Sequence, residues 1–326
     1  MGYATTGGGQ GNRALLKFVL SRKDLGELIE RVARADGAGA AAVRQQMTRL
    51  DILAEAATQA PCTCETPGKW MAAANEVMQL NGYMEQELQR AVFQALHLGR
   101  YKLRNVILVG DTNRAKSFLV KPLLLVYNCF VPPDTGSHQL ADIDGSEVVF
   151  LNEFDWDPAL MPWRTLKDFL EGSEVKIAVP KTQSRAKNYM FKADTPIIGT
   201  APGPIEHPKS QKETEQMDTR VRYFPLTHFF DPKTCPEIKP CKACFAKWIH
   251  GVRHLPPPPP PESLPREWYG RDREARRASR RSSTGQAQGE RWFFVKEAGA
   301  YSYSDLLGRC FKCGREGHLA NQCDTF

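Results

Sequence analysis

Two groups of residues in this chain have the types and spacing to do chemistry. The first is Gly110-Asp111-Thr112-Asn113-Arg114-Ala115-Lys116-Ser117, which follows the apolar run from Val106 to Val109. It fits a phosphate-binding loop, in which a glycine and four residues precede Gly-Lys-Ser/Thr, except that Ala115 takes the second glycine's place. Successive backbone N–H groups in such a loop make a nest for phosphate oxygens, and the helix that follows adds its positive end. Lys116 would reach the outer phosphates and Ser117 would ligate Mg²⁺. Alanine at 115 costs about 1–2 kcal/mol if its φ is positive. The plain alternative is an ordinary strand-to-helix turn that contains Lys-Ser. The second group is Cys310-x2-Cys313-x4-His318-x4-Cys323. Three thiolates and one imidazole close a tetrahedron around Zn²⁺, and Gly314 and Gly317 permit the tight turns between ligands. Lys312, Arg309 and Arg315 stand beside it as phosphate contacts.

The elements that must position the first group can be read around it. Val106 to Val109 reads as a buried parallel strand. The helix from Lys116 meets Pro122, so it must be short or bent. A second buried strand, Glu147 to Leu151, ends in Asn152-Glu153-Phe154-Asp155. A phosphate loop needs carboxylates beside it, to hold Mg²⁺ and orient water. Glu153 is the candidate, with Asp155 and Asp157 as fallbacks. Upstream, residues 13–60 show helical spacing without obvious chemistry. Residues 68–99 read as two helices around an Asn81-Gly82 turn. Downstream come a helix over 158–171, then strands at 174–179 and 189–193. Between these strands lies a basic loop carrying Lys181, Arg185 and Lys187, suited to a phosphate backbone. Further strands are expected at 196–200 and 221–226.

Composition bounds the rest. The 326 residues allow one large domain or two to three small ones, with 41% hydrophobic content and a net charge of +7 that favours nucleic acid as a partner. No apolar run reaches membrane-spanning length and no secretory leader is visible, so the nine cysteines read as reduced thiols or metal ligands. Cys62-x-Cys64 reads as two loop thiols, with a metal role as the alternative. Cys235, Cys241-x2-Cys244, His250 and His254 could form a second metal cluster or be structural. Pro256 to Pro261 reads as a polyproline spacer. It leads into Arg266–Arg281, seven arginines against three acids, where disorder is expected. Met1-Gly2-x3-Thr6 matches a myristoylation pattern but sits in a glycine-rich stretch that reads more simply as a flexible tail.

The order of elements is helical bundle, phosphate loop, acid-terminated strand, basic hairpin, apolar strand, arginine. Over 68–230 this resembles the superfamily 3 helicase ATPase domain of parvovirus and circular-DNA-virus replication initiators. The segments GRYKLRNVILVG, VVFLNEFDWDP and DTPIIGT resemble helicase-like reading frames of mobile-element type, repeated in invertebrate and protist genomes. The resemblance makes Gly110 to Ser117 the Walker A loop and Val148 to Glu153 the Walker B strand. By it, Lys181 to Lys192 is a DNA-contacting hairpin and Ile197 to Pro202 is motif C. Arg220 is then an arginine finger acting on a neighbour's ATP, which implies a ring, a hexamer. Three positions depart from the family: Ala115, Asn152 at the first Walker B acid, and Pro202 where a sensor asparagine is expected. No room is visible upstream for an origin-nicking domain. The Cys310–Cys323 motif resembles the CCHC zinc knuckle of retroviral nucleocapsids, in which an aromatic at the Phe311 position stacks on an unpaired base.

The expected fold is therefore α/β: a P-loop NTPase parallel sheet with an N-terminal helical bundle, a disordered linker and a small zinc knuckle. The expected division is a lead-in at 1–67, an ATPase domain at 68–230 and a Cys/His segment at 231–254. A Pro/Arg linker at 255–300 and the knuckle at 301–326 complete it. Expected cofactors are Zn²⁺, ATP and Mg²⁺. The expected partner is single-stranded nucleic acid, DNA rather than RNA. The expected location is intracellular, in the nucleus rather than the cytoplasm. The alternative is a catalytically decayed nucleic-acid-binding protein acting through the knuckle and basic hairpin.

Overall fold

The computed structural model describes Gly39 and residues 42–84, 86–133, 140–179, 188–235, 237–261, 264 and 268–269. Five strands form one parallel sheet: β1 (Asn105–Val109), β2 (Cys129–Phe130), β3 (Val148–Leu151), β6 (Ile197–Ala201) and β7 (Val221–Pro225). Their order is β2-β3-β6-β1-β7, so β6 is central and separates β1 from β3. Strands β4 (Val175–Ile177) and β5 (Tyr189–Phe191) make a separate antiparallel hairpin. The helices are α1 (Arg49–Gln59), α2 (Lys69–Leu80), α3 (Glu87–Leu98), α4 (Lys116–Val120), α5 (Leu123–Val126), α6 (Trp163–Glu171), α7 (Gln211–Asp218) and α8 (Lys242–His250). The expected P-loop type of sheet is present.

Side-chain alternation along the strands explains the layers. Val106, Leu108, Phe150 and Phe224 join one core, and Ile107, Val109, Leu151 and Tyr223 join another. A parallel sheet covered on both faces reads as continuous apolar sequence, as β1 and β3 do. The first core is filled from α1 to α5 and α8. At its centre lies Trp70, fully buried, with ring centroids 5.3 Å from Phe118, 5.8 Å from Phe245 and 5.6 Å from Trp248. The second core takes side chains from α6, α7 and the hairpin.

The stretches read as lead-in and as Cys/His segment share the first core with the sheet, through α1 and α8. Polar clamps reinforce this. Arg49 forms a two-pronged ion pair with Asp194 at 2.9 Å on each prong, and Arg44 grips Glu147 at 2.7 and 2.6 Å. Buried Arg100 donates to the carbonyls of Phe169, Ala193 and Ser173, between the rings of Phe169 and Phe191.

Several expectations need correction. The helix expected over 158–171 begins at Trp163, after Pro162, because residues 158–160 form a turn. Helices α7 and α8 and the two-residue strand β2 were not foreseen. The proline run and the residues after it touch the sheet domain. Arg222 Nη1 donates to the Pro259 carbonyl at 2.7 Å, Trp268 is 4% exposed in the second core, and the Tyr269 hydroxyl donates to Asp218 at 2.7 Å. The break at Pro122 is present, between α4 and α5.

Burial pushes the Glu76 carboxyl up to about 7 from an ordinary 4.5. The folded state then binds this proton more tightly than the unfolded chain. Its contribution is complete below pH 4.5 and is lost as pH rises through 7. Glu76→Gln should therefore be more stable than the parent at pH 8, by about 2–3 kcal/mol, and indistinguishable at pH 4. Urea melts at the two pH values check this, and equal stability at pH 8 would contradict it.

Candidate phosphate loop and a cysteine cluster

The loop sits at the carboxyl end of β1, where ligands bind in open α/β sheets. Gly110 closes against the segment after β7: a Cβ there would lie 2.4 Å from the Leu226 carbonyl oxygen, so the position demands glycine. Leu226 N–H donates to Val109 O at 2.8 Å, and Phe230 N–H to Asn113 O at 2.9 Å. Arg114 donates to Thr227 O at 2.6 Å and lies over the Phe229 ring at 5.3 Å. Asn81 holds the same segment from below, its side-chain oxygen accepting from the N–H groups of Thr227 and His228.

Asn113 and Ala115 both have positive φ, 59° and 64°. The condition attached to Ala115 is therefore met: it carries a Cβ in a conformation that a glycine adopts without strain. Asp111 and Thr112 are exposed, and Ser117 is half-buried at the start of α4. Lys116 is 5% exposed. Its ammonium donates to Gly110 O at 2.6 Å and Asp111 O at 3.0 Å and lies 3.4 Å from Glu153 Oε1. The structure thus brings together Lys116 and Glu153, from opposite sides of β6. Asp155 is exposed and Asp157 caps the turn before α6 through Ala159 N–H.

Two residues at this site carried no sequence signal of their own. Thr200, fully buried on β6, accepts the Glu153 N–H through its hydroxyl at 2.8 Å, and its carbonyl accepts from Phe154 N–H at 2.7 Å. These bonds fix Glu153 in a left-handed conformation, φ 46°. Lys121, one turn beyond Lys116, has its amine pulled below the usual value by burial, while Glu153 acts in the opposite sense.

Arg220 stands elsewhere. It precedes β7, whose Val221 pairs with the first residue of β1, so the length of β1 separates it from Lys116. Its guanidinium is bound to Glu171 and to Gln216 O. The structure does not bring Arg220 to the loop of its own chain. Lys181, Arg185 and Lys187 lie outside the described residues, as do Arg309, Cys310, Phe311, Lys312, Cys313, Arg315, His318 and Cys323.

A second constellation forms from two cysteine pairs that stand 177 or more residues apart. Cys62, Cys64, Cys241 and Cys244 place their sulfurs within 4.8 Å of one another. Contacts of 3.5 Å (Cys62 to Cys244), 3.6 Å (Cys64 to Cys244) and 3.8 Å (Cys241 to Cys62) define the cluster. Cys62 and Cys64 are free thiols in the loop between α1 and α2, and there they meet Cys241 and Cys244; Cys235, His250 and His254 are not in this group. The signal was present as two close-spaced pairs, each half of a metal site. What was missing was their meeting in space. Burial alone would raise the Cys241 thiol, but N–H groups of Cys244 and Thr63 and the Thr63 side chain outweigh it and leave it at about 6. Burial pushes Cys64 up to about 11, against the N–H of Trp70.

The strain at 115 is testable. Ala115→Gly should raise stability by up to about 1 kcal/mol, the relief of left-handed strain exceeding the added chain entropy. Ala115→Val should lower it by more than about 2 kcal/mol, since a β-branched residue fits that φ worst. Identical urea midpoints for all three would refute the geometry.

Residues 308–325 match the family model of the zinc knuckle. Comparison with curated proteins returns no match. Similar solved structures include the helicase of JCV, a polyomavirus, bound to a substituted acetamide compound, at 12% identity and TM-score 0.44 over 65% of this chain and 62% of that one. A structure titled simply JCV helicase is similar at 16% identity and TM-score 0.42, over 64% and 61% of the two chains. An inhibitor-bound JCV helicase is similar at 14% identity and TM-score 0.42, over 65% and 61%. This chain thus spans about three fifths of the length of those helicase chains. It carries a zinc knuckle at 308–325, behind a parallel sheet of P-loop type.

Proposed function

We propose that residues 110–117 bind the triphosphate of ATP and that the domain uses it to remodel or replicate the nucleic acid gripped by the knuckle. The observation that carries this is the placing of Lys116: a buried ammonium at the carboxyl end of β1, 3.4 Å from the carboxylate of Glu153 just beyond β3. Lysine in such a loop exchanges its carbonyl partners for phosphate oxygens, and loop N–H groups with the α4 N-terminus take the remaining charge. Glu153 orients the attacking water. Ser117, with Glu153 nearby, would hold Mg²⁺, which neutralises charge on the phosphates when bound.

The knuckle supplies Zn²⁺-organised contact with single-stranded nucleic acid, DNA rather than RNA, through stacking on Phe311 and phosphate contacts from Arg309, Lys312 and Arg315. The basic hairpin loop adds Lys181, Arg185 and Lys187. This is the behaviour of a superfamily 3 motor from a mobile or viral-derived element, acting as a ring in the nucleus. Arg220 would act on a neighbour's ATP only after leaving Glu171. Among the described residues no helix is long and apolar enough to cross a membrane.

A second reading has its own observation. Ala115 and Glu153 both sit at positive φ, and Asn152 stands where a second carboxylate belongs. Those features favour a decayed motor that acts through its knuckle and hairpin alone.

ATP titration and turnover with single-stranded DNA separate the two. Lys116→Ala should weaken ATP binding at least tenfold, and Glu153→Gln should keep binding while losing turnover at least a hundredfold. Equal ATP affinity in the parent and Lys116→Ala would dismiss the loop. Binding without turnover in the parent would select the decayed reading.

A further inference from the structure

We propose that Cys62, Cys64, Cys241 and Cys244 hold a structural Zn²⁺ ion, a second site independent of the knuckle. The geometry fits the ion. A Zn–S bond of about 2.3 Å puts tetrahedral sulfurs about 3.8 Å apart; three of the pairs stand at 3.5, 3.6 and 3.8 Å, and all four sulfurs lie within 4.8 Å of one another. A disulfide needs about 2.05 Å, so the four sulfurs form a cage and not two bonded pairs.

The surroundings suit thiolates. N–H groups of Gly68 and Cys64 point at the Cys62 sulfur, that of Trp70 at Cys64, and those of Cys244 and Thr63 at Cys241. Such a shell of amides spreads the charge of a four-thiolate complex and fixes each sulfur. Cys241 and Cys244 are buried, at 0% and 3% exposure, and Cys62 faces solvent, which gives an ion a way in. Four sulfur ligands with no open position mark a structural and not a catalytic site, and soft thiolates select zinc over magnesium or calcium. On binding, each sulfur donates an electron pair to the ion and each thiol loses its proton to solvent, so up to four protons leave as Zn²⁺ enters.

The site has a clear task in the fold. Cys62 and Cys64 lie in the loop between α1 and α2, and Cys241 and Cys244 form the N-cap and first turn of α8. The ion would pin that helix to the loop between α1 and α2. Trp70, six residues after Cys64, packs against both α8 and Phe118 of the phosphate-loop helix. The clamp therefore braces the layer on which the phosphate loop rests.

Metal analysis of the full-length chain, purified without chelator, tests this. Two zinc ions per chain are expected, against one from the knuckle alone. Cys313→Ser should retain one and Cys244→Ser should retain one. Cys235→Ser and His250→Ala should retain both. Cys244→Ser could fail to fold, so the deciding sample is Cys313→Ser reconstituted with Co²⁺. Its remaining ion should show thiolate-to-cobalt charge transfer of four-sulfur strength, and chelation should lower its melting temperature. A metal-free Cys313→Ser protein overturns the proposal. So does a mass loss showing disulfides among the four cysteines, or an ion lost from His250→Ala.

Discussion

An ammonium group with 5% exposure has to be paired, and the architecture around Lys116 follows from that requirement. Two loop carbonyls and one carboxylate meet it. For the carbonyls of Gly110 and Asp111 to face inward, the loop must double back within one turn of β1. That forces Gly110 against Leu226 and puts Asn113 and Ala115 in left-handed conformations. For the carboxylate to arrive, β3 must end level with β1 although β6 lies between them. Thr200 on that intervening strand ties the end of β3 in place with its hydroxyl and its carbonyl. One buried charge thus couples three strands, a loop and a helix start.

The helical layer under the loop is built by segments far apart in the chain. Trp70 touches Phe118, Phe245 and Trp248, so α2, α4 and α8 share one aromatic centre. Arg44 and Arg49 tie the region around α1 to Glu147 and Asp194, which come just before β3 and β6. The layer is a single packing unit that no stretch of sequence contains.

Local signals were legible and long-range ones were not. The strands at 105–109, 148–151 and 197–201 announce themselves as apolar runs, and the turn at Asn81-Gly82 and the break at Pro122 follow from backbone chemistry. Lys116 and Glu153 were legible as a pair because loop and acid-ended strand each have a spacing. Helix α7 was not, being polar over QKETEQMD and held by a Ser210 cap and by Met217 and Thr214 underneath. Helix α8 starts on the Cys-x2-Cys pair, so ligand spacing and an apolar face overlap in the same short segment. Cys62 and Cys244 are 182 positions apart, and no local pattern records a meeting over that distance.

The proline run has a consequence for the rim of the sheet. Pro259 is gripped by Arg222, on the face of β7 that carries Phe224, whereas Trp268 sinks into the core on the other face. Pro259 and Trp268 thus meet opposite faces of β7. Proline has no N–H to offer, so the run beside β7 cannot itself extend the sheet as a central strand would. β7 is the last strand of the sheet, and Arg222, a buried charge on it that is bonded to the run, blunts that edge.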